Sequence, residues 1–164
     1  MSACKLSQMK KIGIIDYGSG NIFSLLKAFQ HLEFPTEVID APDKLSDCSH
    51  LVIPGVGAFR NAMDRLSERG FTDSIKQESQ KGKPLLAICV GMQILFETSE
   101  EFGHHSGLGL IKGTVTKIPN MDRFGNVSPV PHVGWSETRC NISCLADSKF
   151  DLFLNMSTIT KFYY

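Results

Sequence analysis

The 164-residue sequence predicts an α/β fold, with a mostly parallel sheet and helices on both faces. Three observations carry that expectation. Short apolar runs alternate with stretches of helical apolar spacing, the pattern of parallel strands joined by right-handed crossovers. Several of these runs end in glycine-rich turns, at 16-DYGSGN-21 and 54-PGVG-57. The length suits one domain able to bury its own core.

Taken in order, 11-KIGIID-16 is a strand, and Asn21 is the cap of a helix whose apolar face is Ile22, Leu25, Leu26, Phe29 and Leu32. The segments 36-TEVID-40 and 50-HLVIP-54 read as two more strands. In 58-AFRNAMDRLSER-69, Phe59, Ala62, Met63 and Leu66 share one helix face, and Gly70 stops the helix. A polar helix over 71-FTDSIKQESQ-80 leads to the strand 85-LLAIC-89, and 91-GMQILFETSEE-101 reads as a continuing helix. Beyond 103-GHHSGLGLIKG-113 the pattern shifts to 114-TVTKIP-119 and a Gly/Pro/Asn-rich loop through Pro131, which predicts hairpins or irregular connections. No repeat or low-complexity tract marks a linker.

Lysine plus arginine and aspartate plus glutamate each number 17, so no net field draws in nucleic acid or an anionic membrane. The N-terminal 1-MSACKLSQMKK-11 has no apolar run of signal-peptide length, and no stretch is long enough to span a bilayer. A soluble, cytoplasmic protein is expected. The five cysteines, Cys4, Cys48, Cys89, Cys140 and Cys144, form no CxxC pair and read as free thiols. Adjacent His104 and His105 lack further ligands at recognisable spacing, so no metal is expected. The three glycosylation sequons, at Asn126, Asn141 and Asn155, read as chance matches in an intracellular chain.

In an open parallel sheet, function gathers at the carboxyl ends of the strands. The first loop there, with Gly18, Ser19 and Gly20, partly matches a dinucleotide-binding fingerprint, but Phe23 stands where the third glycine belongs. A tight turn is the plainer reading. In the second loop, Gly55 and Gly57 flank Val56, leaving backbone amides that side chains do not obstruct and that could face an oxyanion. In the third, Cys89 closes a strand and opens a helix, with small Ala87 and Gly91 two positions to either side. That is the strand, nucleophile, helix order of an elbow, where a crowded turn demands small neighbours and the following amide, of Val90, is free for an oxyanion. The competing reading is equally physical: an apolar strand ending in cysteine is commonly just core.

The segment 87-AICVGMQ-93 resembles the G-x-C-x-G-x-Q nucleophile motif of class I, triad-type glutamine amidotransferases, with Ala87 in place of the first glycine. Together with 12-IGIIDYGSGNIFSL-25, 54-PGVGAF-59, 95-LFETSEE-101 and 131-PHVGW-135, it looks like the glutaminase subunits of imidazole glycerol phosphate synthase. The resemblance implies a flavodoxin-like amidotransferase domain over 11–164, partial at its C-terminal end, after a short extension of residues 1–10. It implies glutamine as substrate, no cofactor, a Cys89 thioester, Gln93 in the glutamine pocket, and ammonia passed to a synthase barrel partner in a heterodimer. Asp16, Tyr17, Gly18 and Asn21, with Pro131, His132, Gly134 and Trp135, match segments that face that partner, with turn formation and core packing as the alternative.

The same family completes its triad from a C-terminal His-Pro-Glu motif, and no histidine follows His132 in these 164 residues. Of the remaining histidines, His31 lies toward a helix end, His50 begins a strand, and His104 and His105 sit in a polar loop. Severely impaired glutaminase activity is therefore expected of this chain alone. Three further readings stay open: an amidotransferase feeding another synthase, such as one modifying a nucleotide-linked sugar; a catalytically silent interaction module; and, more weakly, a nucleotide-binding module using 16-DYGSGN-21.

Overall fold

The apolar runs pair in parallel, as expected. β1 (Ile12–Ile15), β2 (Thr36–Ile39), β3 (His50–Ile53) and β4 (Leu85–Ala87) form a sheet in the order β2-β1-β3-β4. All three pairings are parallel, with Ile12 opposite both Thr36 and His50, and Leu51 opposite Leu85. The chain leaves β1 toward one edge and returns to the other side of it at β3, so the strand order reverses between these two. Such a reversal opens a crevice at the carboxyl ends of the flanking strands. Into it run the loops 16–21 and 54–57.

The computed structural model describes residues 11–121, 124–127, 130–131, 133–139 and 159–163. The chain divides into two compact units, Met1–Lys117 and Ile118–Tyr164.

Within the first unit, α1 (Ile22–His31) starts where the sequence places it, with the Asn21 side chain accepting from the Ser24 amide. α2 (Phe59–Glu68) and α3 (Phe71–Gln80) are separated by Gly70, whose φ of 73° is a left-handed conformation that a side chain disfavours. Their buried residues Phe59, Ala62, Leu66, Phe71 and Ile75 pack with Ile15, Ile39, Leu51 and Ile53 in one core. Burying each large side chain contributes about 1.5–3 kcal/mol. Ile14 and Val52, one position along their strands, turn to the opposite face and are buried outside that cluster.

A short 3-10 turn over Pro42–Asp47 delivers Cys48 into the core ahead of β3. A polar cluster holds that turn. Lys83 donates to the carbonyls of Leu45 and Ser46, and its ammonium also pairs with the nearly buried carboxylate of Glu78 at 2.6 Å. Lys81 meets the other oxygen of Glu78, also at 2.6 Å.

The expected helix over 91–101 does not form. α4 spans only Val90–Gln93, and β5 (Phe96–Ser99) follows, flanked by β6 (His105–Ser106) and β7 (Ile111–Val115) in the order β6-β5-β7. The reason is a competing set of backbone partners. The amides of Leu108, Leu110 and Ile111 donate to the carbonyls of Ile94 and Leu95, and that of Gly107 donates to Glu97. A helix would need some of those carbonyls for itself.

In the second unit, β8 (Trp135–Arg139) and β9 (Ile159–Tyr163) form an antiparallel pair with Trp135 opposite Tyr163, and Met121 bridges Val127. This agrees with the expected hairpin-like pairing. No helix among the described residues is long and apolar enough to cross a membrane.

Candidate active site

Cys89 stands between β4 and α4 with φ 56° and ψ −118°, a backbone conformation that non-glycine residues seldom adopt. The thiol is exposed. Of the two readings left open by the sequence, core and elbow, the geometry is that of the elbow. α4 has only four residues, so little macrodipole accumulates there; what it offers an anion is its local, unshared amides. The amides of Met92 and Gln93 donate back to the Cys89 carbonyl. The amide of Val90 has no such acceptor among the described residues, nor does that of Gly57.

The elbow and the 54–57 turn touch backbone to backbone. A Cβ on Gly91 would lie 2.2 Å from the Ile53 carbonyl oxygen and 2.9 Å from that of Pro54. A Cβ on Gly55 would lie 2.4 Å from the Gly91 nitrogen and 3.0 Å from both the Val90 carbonyl carbon and Tyr17 Oη. Backbone cannot move aside as a flexible side chain can, so glycine is required on both sides of this contact. The small residues that the sequence placed near Cys89 and in the turn therefore face each other.

Loop 16–21 closes against the same turn. Tyr17 Oη donates to the Pro54 carbonyl at 2.6 Å, and Ser19 Oγ donates to the Val56 carbonyl at 3.1 Å while accepting from the Val56 amide at 3.2 Å. Burial raises the Tyr17 hydroxyl above its usual pKa, and the neighbouring Ser19 hydroxyl partly offsets the rise. Asp16 accepts from the Gly18 amide at 3.0 Å, the local side-chain turn that the tight-turn reading of this loop anticipates. From α2, Arg69 donates to the Asp16 carbonyl at 3.1 Å and Arg65 to that of Gly18.

The structure thus brings Cys89, Val90, Gly55, Val56 and Gly57 to one place at the mouth of the sheet crevice, with Gln93 half-buried at the end of α4. Tyr17 is fully buried, so the packing alternative describes its side chain. Asn21 is exposed while its side chain caps α1, and Asp16 is half-buried. In the second unit, Pro131 and Trp135 are exposed and Gly134 is half-buried; His132 lies outside the described residues.

Two polar groups escaped sequence reasoning. Ser19 was read only as part of a turn, and Glu101 only as part of a family segment. Glu101 Oε2 accepts from the Phe59 amide at 2.6 Å, capping α2 immediately after the glycine turn, and the Glu101 amide donates to buried Ser99 at 3.1 Å. No periodicity signals a pair 37 or 42 residues apart. Among the described residues, no three His, Cys, Asp or Glu groups gather as they would around a metal.

The profile of the CobB/CobQ-like glutamine amidotransferase domain matches residues 11–127. The chain is 50% identical to the imidazole glycerol phosphate synthase subunit HisH of Bacillus licheniformis, over 76% of this chain and 59% of that protein. It is 46% identical to the protein of the same name from Syntrophotalea carbinolica, over 77% of this chain and 62% of that one. It thus spans about three-fifths of the length of these curated relatives. A crystal structure of a glutamine amidotransferase superposes with a TM-score of 0.54 at 19% identity, covering 64% of this chain and 55% of that one, a likeness of fold. The profile takes in the whole crevice, from β1 through the glycine turn to the Cys89 elbow, and the chain belongs to the CobB/CobQ-like glutamine amidotransferase domain family.

Proposed function

We infer that this chain carries the nucleophile half of a glutaminase that serves an imidazole glycerol phosphate synthase. The observation that carries the reading is the exposed Cys89 thiol, held at φ 56° on an elbow whose backbone is in contact with a glycine turn. The names of the relatives from Bacillus licheniformis and Syntrophotalea carbinolica supply the synthase.

In this reading the Cys89 thiolate attacks the side-chain carbonyl carbon of glutamine. The carbonyl oxygen becomes an oxyanion that the Val90 and Gly57 amides receive. The tetrahedral adduct collapses to a glutamyl thioester, its nitrogen leaving with an added proton as ammonia, and water then releases glutamate. Gln93 lines the glutamine pocket. The ammonia passes to a cyclase barrel in a cytoplasmic heterodimer, which performs the lyase step. Asp16, Gly18, Asn21, Pro131, His132, Gly134 and Trp135 are the proposed partner-facing positions.

The proton that ammonia needs must come from a positioned acid, and help of that kind is worth roughly a hundred- to ten-thousandfold in rate. The resemblance places that acid in a His-Pro-Glu motif absent from these 164 residues. The test is ammonia release from glutamine, with and without the synthase barrel, by this chain and by one extended through such a motif. The extended chain is expected to be faster by at least about a hundredfold. Equal rates would remove the motif from the account. No release by either would favour the silent interaction module, for which the exposed Pro131 and Trp135 are the supporting observation.

A further inference from the structure

We propose that Arg65 and Arg69 form a docking site for one carboxylate, an aspartate or glutamate of the synthase barrel, a proposal that rests on the reading of this chain as that barrel's glutaminase. The two residues lie one turn apart on α2, so both project from the same face of the helix. Arg69 donates to the Asp16 carbonyl at 3.1 Å, and Arg65 donates to the Gly18 carbonyl. Their guanidiniums converge over Gly18. A Cβ built there would stand 3.6 Å from Arg65 Nη1 and 3.6 Å from Arg69 Nη2. With φ 83° the position favours glycine, so the space beside the two cations holds no side chain from the loop.

The charges there are unbalanced. Neither arginine forms an ion pair among the described residues. The acids nearby are engaged elsewhere: Asp16 accepts from the Gly18 amide at 3.0 Å, and Asp40, whose pKa Lys44 and to a smaller extent Arg69 hold below the usual carboxylate range, pairs with Lys44 at 2.7 Å. Like charges on successive turns of a helix repel, and an anion seated between them removes that repulsion. Each guanidinium uses part of its donors on the loop and keeps the rest, in a rigid fork that matches a carboxylate. The loop carbonyls also fix the direction of both groups, so little ordering is left to binding. The flanking acids choose the anion. Asp16 and Asp40 would repel a phosphate dianion or a nucleic acid, and with 17 basic and 17 acidic residues the chain offers a polyanion no net field. A singly charged carboxylate suits a pair so flanked. Both arginines are exposed, and they hold the loop whose Asp16, Gly18 and Asn21 are proposed to face the partner, so the carboxylate comes from the barrel.

The test is titration of the synthase barrel with this chain and with its R65Q/R69Q and R65K/R69K variants, at low and at high NaCl. The parent is expected to bind less tightly as salt rises. R65Q/R69Q should bind about tenfold more weakly at low salt and lose much of the salt dependence. R65K/R69K should keep the salt dependence at an intermediate affinity, having the charge without the fork. Charge reversal in R65E/R69E should be rescued by lysine at one acidic position of the barrel and not at others. Loosening of loop 16–21 alone would weaken binding without changing its salt dependence. Equal salt dependence in the parent and R65Q/R69Q therefore overturns the proposal, as does unchanged affinity or the absence of a rescuing barrel position. If inorganic phosphate then raises the Tm of the parent and not of R65Q/R69Q, the pair belongs to a free anion instead. Failure of the parent itself to bind the barrel counts against the heterodimer reading, and the docking site falls with it.

Discussion

Cys48 and Cys89 flank strands of one sheet yet in opposite circumstances, and the contrast shows what makes a thiol available for chemistry. Cys48 ends a 3-10 turn, is 3% exposed, and packs among Ile39, Leu51 and their neighbours. Burial pushes its pKa above the usual thiol value, which keeps it neutral and inert. Cys89 lies past the end of a strand, exposed, on a backbone that only a crowded turn would enforce. Each has a glycine beside it, and the two glycines differ. Gly13 makes room for a side chain: a Cβ there would lie 2.7 Å from Cys48 Sγ and 3.0 Å from Ile39 Cγ1. Gly91 makes room for backbone, the carbonyls of Ile53 and Pro54. The first arrangement serves packing, and the second sets the position of a reactive group.

The largest expected effect comes from removing the thiols themselves. In the chain extended through a His-Pro-Glu motif, Cys89→Ser should lower ammonia release by at least about a thousandfold. Cys48→Ala should leave it intact and cost about 1 kcal/mol in urea unfolding. Comparable activity losses in the two would break the contrast.

Next are the glycines. Gly91→Ala should displace the elbow, lowering stability by about 3 kcal/mol and abolishing selective labelling of Cys89, because neither carbonyl can yield. Gly13→Ala should cost about 1–2 kcal/mol by thermal unfolding while labelling persists. Much of that loss should return in the Gly13→Ala/Cys48→Ala double variant, since the first clash is with the sulfur. Additive losses would place the strain elsewhere.

The smallest effect concerns the turn that delivers Cys48. Hydrogen bonds from Lys81 and Lys83 hold the Glu78 carboxyl below its usual pKa. A carboxylate lowered in the folded state stabilises the fold above its unfolded pKa, near 4.3, and the contribution fades as pH falls through the lower folded value. Glu78→Gln should therefore lower Tm by about 4 °C at pH 7, with the gap closing below about pH 4. A gap independent of pH would contradict the charge argument.

How far these environments could be read in advance follows from their sequence separation. The strands of the parallel sheet, the Asn21 cap and the elbow at Cys89 are local patterns, and local patterns are legible. The segment 94–101 is not, because its apolar spacing suits either state and the decision lies with amides at 107–111. Gly107 shows the same dependence, since a Cβ there would lie 2.2 Å from the Phe96 carbonyl. Within the site, Cys89 and the glycines were legible as residue types at a spacing. The contacts from Ser19 to Val56 and from Glu101 to Phe59 were not, being set by the topology that folds distant loops onto one crevice.

The most direct test of the account is competitive labelling of the folded chain with a glutamine-like diazo ketone, followed by peptide mapping of all five cysteines. The expected result is modification at Cys89 that glutamine suppresses, with Cys48 reacting only after denaturation. Modification of Cys89 no faster than of the other thiols, and unaffected by glutamine, would contradict the assignment of Cys89 as the nucleophile.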